Sequence, residues 1–299
     1  MFELFLGMRY LKAKRKQGFI SVITLISALG VMVGVMALVV VLSVMNGARE
    51  DIMSKILGVN SHLMVLSFGG AFEDYEKTAE TISGLDGVVS STPLIISQVM
   101  FNHSGNVSGA VLWGIDPETA GNVMDFKAYI KEGSLASLKD RPDVLPAIII
   151  GRELARQTRA KLGDMVKLVS PEGKLTPLGR MPNTREYEVT AIFESGYYEF
   201  DVSMAYIKLE EAQDFLAYGK KATCLAVKVK DLFKSDQVGE SIQGKLGYPF
   251  QTKDWKAMNR PLFAALKVEK YAMFVILTMI VLVGALNIIS TLVMVVMEK

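Results

Sequence analysis

The sequence predicts an α+β protein in which two long transmembrane helices bracket a mixed α/β domain. Three observations carry that reading. Residues 19–45 and 271–297 each run 27 positions without Lys, Arg, Asp, Glu or His. The 225 residues between them have ordinary polarity, with net charge near balance. Within those 225, period-two apolar alternation and helical spacing follow one another along the chain.

The first element is a basic segment, residues 1–18, with Arg9, Lys12, Lys14, Arg15 and Lys16 set against a single Glu3. Positive charge stays on the cytoplasmic side, so this end is expected in the cytoplasm. Residues 19–45 follow as the first span. Their apolar run is about twice the 7 to 15 residues of a signal-peptide core, and no small-x-small cleavage site ends it. About 20 residues cross a bilayer, so both spans are expected to project beyond it. Residues 46–270 form the exported domain, 271–297 the second span, and 298–299 the start of a cytoplasmic segment. Lys267 and Lys270 weaken the charge rule on the outer side without reversing it.

Inside the domain, strands are expected at 62–66, 107–115, 165–169, 186–193, 204–207 and 224–229. Helices are expected at 73–83, 151–161, 210–216 and 236–246. In 186–193 the apolar positions are Tyr187, Val189, Ala191 and Phe193, which gives one buried face. Residues 135–146 and 195–201 read as loops, and composition shifts near Asp116 and Thr223 suggest an inserted subdomain. Pro261 fits the first turn of a helix, with Asn259 as its cap. From Pro261 to Met297 nothing breaks the pattern, giving 37 residues and a stalk of about 55 Å.

Composition excludes several function classes. A net charge of +2 argues against a nucleic-acid surface. Cys224 is the only cysteine and excludes an internal disulfide. His62 and His103 are the only histidines, and neither lies in a metal-binding pattern, so no metal site and no catalytic residue are expected. Glu194, Glu199 and Asp201 read as solvated loop charges. Gly239 to Lys245 matches a phosphate-binding loop up to Leu246, which replaces the hydroxyl that would hold magnesium. A helix before it and Gly247-Tyr248-Pro249 after it make the match a coincidence.

The remaining signals point to partners. Ser27, Gly30, Gly34 and Ala37 share one face of the first span, and Gly284, Asn287 and Thr291 share one face of the second. Small residues let helices approach closely, and an intramembrane Asn marks a helix contact. Residues 171–182 carry three prolines and two glycines in a connection far longer than a hairpin needs. Leu178 and Met181 flank Arg180 there, a stiff apolar tip suited to touching another protein.

These motifs resemble a known family. The first span reads Ile26-Ser-Ala-Leu-Gly-Val-Met-Val-Gly-Val-Met-Ala-Leu38 and then Leu42-Ser-Val-Met-Asn-Gly47. The second is introduced by Trp255, Asn259-Arg260-Pro261-Leu-Phe-Ala-Ala-Leu266 and Glu269-Lys270, and carries Asn287-Ile-Ile-Ser290 and Val296-Met-Glu-Lys299. Together with Gly163-Asp164, Thr176 to Pro182 and Gly196 to Asp201, they resemble LolC/LolE lipoprotein-releasing permeases of the MacB and FtsX superfamily. The resemblance covers the whole chain.

The resemblance implies a MacB-like periplasmic core and a Gram-negative inner-membrane location. It implies two further helices beyond Lys299, so the chain is read as the N-terminal part of a permease. It also implies a LolD-like ATPase that binds ATP and magnesium, the permease itself holding no cofactor. A second permease subunit, identical or related, pairs with it. Lipoproteins drawn from the outer leaflet pass to a LolA-like periplasmic chaperone. Carried over by motif, Thr176, Pro177, Leu178, Gly179, Arg180, Met181 and Pro182 form a hook that grips the chaperone. Met45, Asn46, Ala48, Phe263, Leu266 and Met273 border the lipoprotein cavity; Ala48 stands where the family pattern has Phe. The alternatives are a MacB-type exporter, an FtsX-type regulator or a two-span sensor receptor.

Overall fold

Inside a bilayer no water is present to bond the backbone, so uncharged stretches satisfy their N–H and C=O groups as helix. The first helix, α1, runs Gly18–Val59, 42 residues. It therefore continues 14 residues past the expected limit at Met45, through Arg49, Glu50 and Asp51. Charge ends a span but not a helix, and nothing before Asn60 interrupts the hydrogen bonding. A computed structural model describes residues 18–139, 144–171, 175–176, 179–180 and 182–297. These fall into two units, one holding the long helices up to Glu50 and from Arg260, the other spanning Asp51–Asn259.

In the second unit the chain continues with β1 (Leu63–Ser67), α2 (Tyr75–Ser83), β2 (Val88–His103), β3 (Asn106–Ile115), α3 (Ala120–Val123) and β4 (Ile130–Gly133). Next come β5 (Ala147–Gly151), α4 (Arg152–Thr158), β6 (Met165–Ser170), β7 (Leu175–Thr176), β8 (Gly179–Arg180) and β9 (Asn183–Phe193). Then follow α5 (Tyr198–Ser203), β10 (Met204–Lys208), α6 (Leu209–Phe215), β11 (Cys224–Val229), α7 (Ser235–Leu246), β12 (Phe250–Asp254) and α8 (Trp255–Met258). The last helix, α9, is Arg260–Met297.

The main sheet runs β12-β1-β11-β2-β3-β10-β5-β9-β4, and β6 pairs with both β2 and β9. That double pairing closes a ring of six strands, β2, β3, β10, β5, β9 and β6, each hydrogen-bonded to the next. Strands β12, β1 and β11 form a wing on the first half of β2. Alternation sends successive residues to opposite faces, and both faces are covered. Ile95, Phe101, Leu168, Tyr187 and Val189 pack against Leu154 of α4 and Phe215 of α6. Leu94, Trp113, Ile149, Phe193 and Tyr206 pack on the other side with Phe126 and Leu135. On the wing, Leu63, Val65, Leu225 and Val227 bury against Ile82 of α2 and Ile242 of α7.

Several expectations need correction. The helix expected over 151–161 stops at Thr158, because Arg159 takes a left-handed conformation (φ 58°). Part of the loop expected at 195–201 is helix α5. Asn259 does not cap α9 with its side chain; its Nδ2 donates back to the Trp255 carbonyl at 2.7 Å, closing α8.

Candidate functional site

The segment 171–182 grows out of an antiparallel ladder. Strands β6 and β9 pair from Met165↔Glu188 to Ser170↔Asn183. Leu175 pairs with Arg180 and Thr176 with Gly179, making a two-stranded ribbon separate from the main sheet. Pro171 and Pro182 are exposed on either side of it. Of the residues expected to form the hook, Thr176, Gly179 and Arg180 lie in the ribbon, Pro182 at its root, and Pro177, Leu178 and Met181 outside the described residues.

The root of this arm is clamped by α6. Asn183 Nδ2 donates to the Phe215 carbonyl at 2.6 Å, and Arg185 pairs with Glu211 at 2.7 Å. Below them the Tyr187 ring meets the Phe215 ring edge-on. Tyr187 is fully buried, and burial pushes its hydroxyl well above the ordinary phenol range. Charge-assisted contacts and packing therefore fix the start of β9 against α6.

A second local structure shapes the end of β9. Asp201, read from sequence as a solvated charge, is buried. Ser195 N–H and Oγ donate to its Oδ1 at 2.7 and 2.8 Å, and Gly196 N–H donates to Oδ2 at 3.1 Å. Three donors are what a buried carboxylate requires. Its backbone packs so tightly on Gly151 that any Cβ there would strike the Asp201 carbonyl. The family-like stretch Gly196 to Asp201 is thus a brace joining β5, β9 and α5.

The long helices form the other candidate site. Both are long and apolar enough to cross a membrane, over Ala28–Val59 and Arg260–Met294. They run antiparallel: a Cβ on Gly34 would meet Ile280 Cγ2 at 3.6 Å, and one on Gly284 would meet Val31 Cγ2 at 3.3 Å. Val31, Gly34, Leu38 and Met45 are the less exposed described positions of α1 up to Glu50, and Leu262, Phe263, Leu266, Glu269, Met273, Ile280 and Gly284 those of α9. This spacing is close to heptad, as expected for two helices that wind on each other. No atom lies within 4 Å of a Cβ built on Gly30, so the close approach falls at Gly34 and Gly284. Asn46, Ala48 and Asn287 are exposed. The side chains of Ser27 and Thr291 lie outside the described residues.

Chemistry of other kinds finds little footing. Gly239 to Lys245 lies wholly within α7, with Gly239 packed on Leu63 and Thr252, and is no phosphate loop. Cys224 is buried, and burial pushes its thiol up to about 12. Among the described residues, no three His, Cys, Asp or Glu side chains are grouped to hold a metal. His103 Nδ1–H donates to the Thr158 carbonyl at 3.0 Å, and Nε2 faces Asp164 at 3.4 Å. His62 Nδ1 lies 3.2 Å from both N and O of Val229, and burial lowers its pKa below the ordinary value.

Comparison with known proteins places this architecture among relatives. Residues 24–245 match the model of the MacB-like periplasmic core domain. The chain is 32% identical to the lipoprotein-releasing system transmembrane protein LolC of Neisseria meningitidis, over 99% of this chain and 71% of that protein. It is 31% identical to LolC of Xylella fastidiosa, over 98% and 70%. It is 22% identical to LolE of Haemophilus influenzae, over 99% and 71%. The periplasmic region of MacB from Actinobacillus actinomycetemcomitans superposes with a TM-score of 0.45 at 14% identity, over 70% of this chain and 94% of that one.

Proposed function

The chain belongs to the LolC/LolE family of lipoprotein-releasing system transmembrane proteins, and on that premise we propose how its parts serve release. It is a permease of the Lol system, a non-catalytic subunit of the inner membrane carrying a MacB-like periplasmic core. In our reading it crosses the membrane an even number of times with its N-terminus cytoplasmic. Asp51–Asn259 then faces the periplasm. It pairs with a second permease subunit, and a LolD-like ATPase supplies the energy by binding ATP and magnesium. The part of the sheet built by residues 116–223 serves as the inserted subdomain.

Release requires an acyl chain to leave one apolar environment for another without meeting water, because each buried methylene contributes about 0.8 kcal/mol. The outer ends of α1 and α9, around Met45, Asn46, Ala48, Phe263, Leu266 and Met273, border the cavity that the acyl chains enter. The arm at 171–182 holds a LolA-like chaperone. The observation that carries this reading is the ribbon itself, bonded to its own partner strand and clamped at its root by Asn183 and Arg185. A grip of this kind loses little conformational entropy on binding.

The test is Leu178→Glu in the full complex. Recovery of chaperone in pull-down is expected to fall at least tenfold, while assembly with the ATPase and the second permease subunit stays intact. Unchanged chaperone recovery would overturn the role of the arm.

A further inference from the structure

We propose that a groove along α4 is a docking site for an acidic polypeptide segment of a partner protein. Its lining contains no residue of the 171–182 segment, although Ile192 belongs to β9, and the proposal goes beyond the reading given above. The groove has a volume of about 740 Å³ and is lined by Arg152, Arg156, Arg159 and Lys161 with one carboxylate, Glu132. Arg152, Arg156 and Arg159 stand at i, i+4 and i+7, so they form one stripe along the helix and its end. The stripe survives into the fold because Leu154, Ala155 and Thr158 take the buried face.

The cations are not equivalent. Arg152 is braced between Glu132 at 3.5 Å and Glu194 at 3.2 Å, and Arg156 pairs with Glu153 at 2.7 Å. Arg159 and Lys161 are exposed and have no ion pair among the described residues. Arg159 occupies a left-handed position where Gly or Asn is relaxed. The chain carries a cation there against local backbone preference, which projects the guanidinium beside Lys161 at the end of the groove.

The rest of the lining says what kind of anion fits. Ala155, Ala160 and Ile192 make an apolar floor, and Leu162 stands 48% exposed at the rim. The volume is of the size that takes a ligand of many atoms, and Leu162 offers such a ligand an exposed apolar contact that a small inorganic anion would not use. Carboxylates alternating with apolar side chains satisfy both parts. Guanidinium forks bind carboxylates through two parallel hydrogen bonds, which fixes direction as well as charge.

The test uses the whole chain in detergent micelles and a fluorescein-labelled peptide, Glu-Leu-Glu-Glu-Leu-Glu, followed by anisotropy. Saturable binding is expected, weakening at least tenfold between 50 and 500 mM salt as screening rises. The double variant Arg159→Glu/Lys161→Glu should weaken it at least tenfold. Arg159→Gly provides a variant that relaxes the backbone, so it should weaken binding while thermal stability holds or rises. Absence of binding to the parent chain, or equal binding by both variants, overturns the proposal. So does displacement of the peptide by inorganic phosphate at equal concentration, which would make this a simple anion site. Anionic phosphatidylglycerol vesicles binding in place of the peptide, with the same sensitivity to the variants, would assign the groove to lipid instead and also overturn it.

Discussion

The two long helices are equally apolar, yet they join the soluble unit in opposite ways. Helix α1 runs unbroken to Val59, and its last turns are core: Ile56 and Val59 are fully buried, and Gly58 lies under the ring of Tyr129. Helix α9 begins only after a break. The single turn α8 ends at Met258, and α9 starts at Arg260 with Pro261 in its first turn. What holds that side is Trp255, buried, with its N–H donating to the His62 carbonyl at 3.0 Å and its Nε1–H to the Leu232 carbonyl at 3.1 Å. One helix is welded into the core, and the other hangs from a residue next to the weld. The difference teaches that a continuous helix and an interrupted one can be built from stretches that composition does not distinguish. Glycine and asparagine inside α1 do not break it, whereas proline beside asparagine restarts the helix at α9.

The largest test of this contrast concerns release. A four-residue Gly-Ser insertion after Arg49 in α1, or near Val268 in α9, is expected to abolish lipoprotein transfer while ATPase association persists. The same insertion between Asn259 and Arg260 should retain most transfer, because the helix is already interrupted there. Equal loss at all three positions, measured in reconstituted vesicles, would erase the distinction between weld and joint. Full transfer with the insertion near Val268 would show that release does not depend on an unbroken α9.

A smaller effect probes the weld alone. A Cβ at Gly58 overlaps the Tyr129 hydroxyl and ring, so Gly58→Ala should cost about 1–3 kcal/mol of stability. Denaturant unfolding of the chain in micelles reads this, and Tyr129→Ala in the same molecule should recover part of the loss. If the double variant is no more stable than Gly58→Ala, the ring is not what covers α1.

The smallest effect sits between weld and joint, at His62. Its folded pKa lies below the unfolded value of 6.5, chiefly through burial. The unfolded chain therefore binds more protons than the folded one just below that value. The contribution is full above pH 6.5 and is lost as pH falls through it. The melting temperature should decline on acidification from pH 7.5 to 5.5, and His62→Gln should flatten the part due to this residue. An unchanged pH profile in that variant would show that the Val229 contact does not depend on the ring's charge.

Much of the architecture is legible where a segment carries its own pattern. Strand β11 falls at Cys224–Val229, the limits that its apolar run gives. In β9 the alternation of Tyr187, Val189, Ala191 and Phe193 matches four fully buried side chains. The segments not read have physical excuses. Strand β2, Val88–His103, is 16 residues long and contains Pro93, which argues against a strand interior. Pro93 pairs with β11 one residue before pairing with β3 begins, where only one edge is engaged. Strand β5 hides between an irregular stretch and a helix, and β12 reads Phe-Gln-Thr-Lys-Asp, an edge strand with no apolar period. Residues 171–182 are conspicuous by their prolines, yet the ribbon depends on which strands flank them. The groove at α4 has no counterpart in the sequence reading, because the relation of its arginines to Lys161 and Ile192 arises only when β9 meets α4.

The ring of six strands has a mechanical consequence for the arm that grows from it. Both legs of the arm, β6 and β9, are ring members bonded on two sides over part of their length. A pull along the arm is therefore directed along the strands and across the hydrogen bonds, which lie perpendicular to them. Such a pull strains many bonds together, where a pull at a free edge would open them one after another. A load hung on this arm is carried by the whole ring.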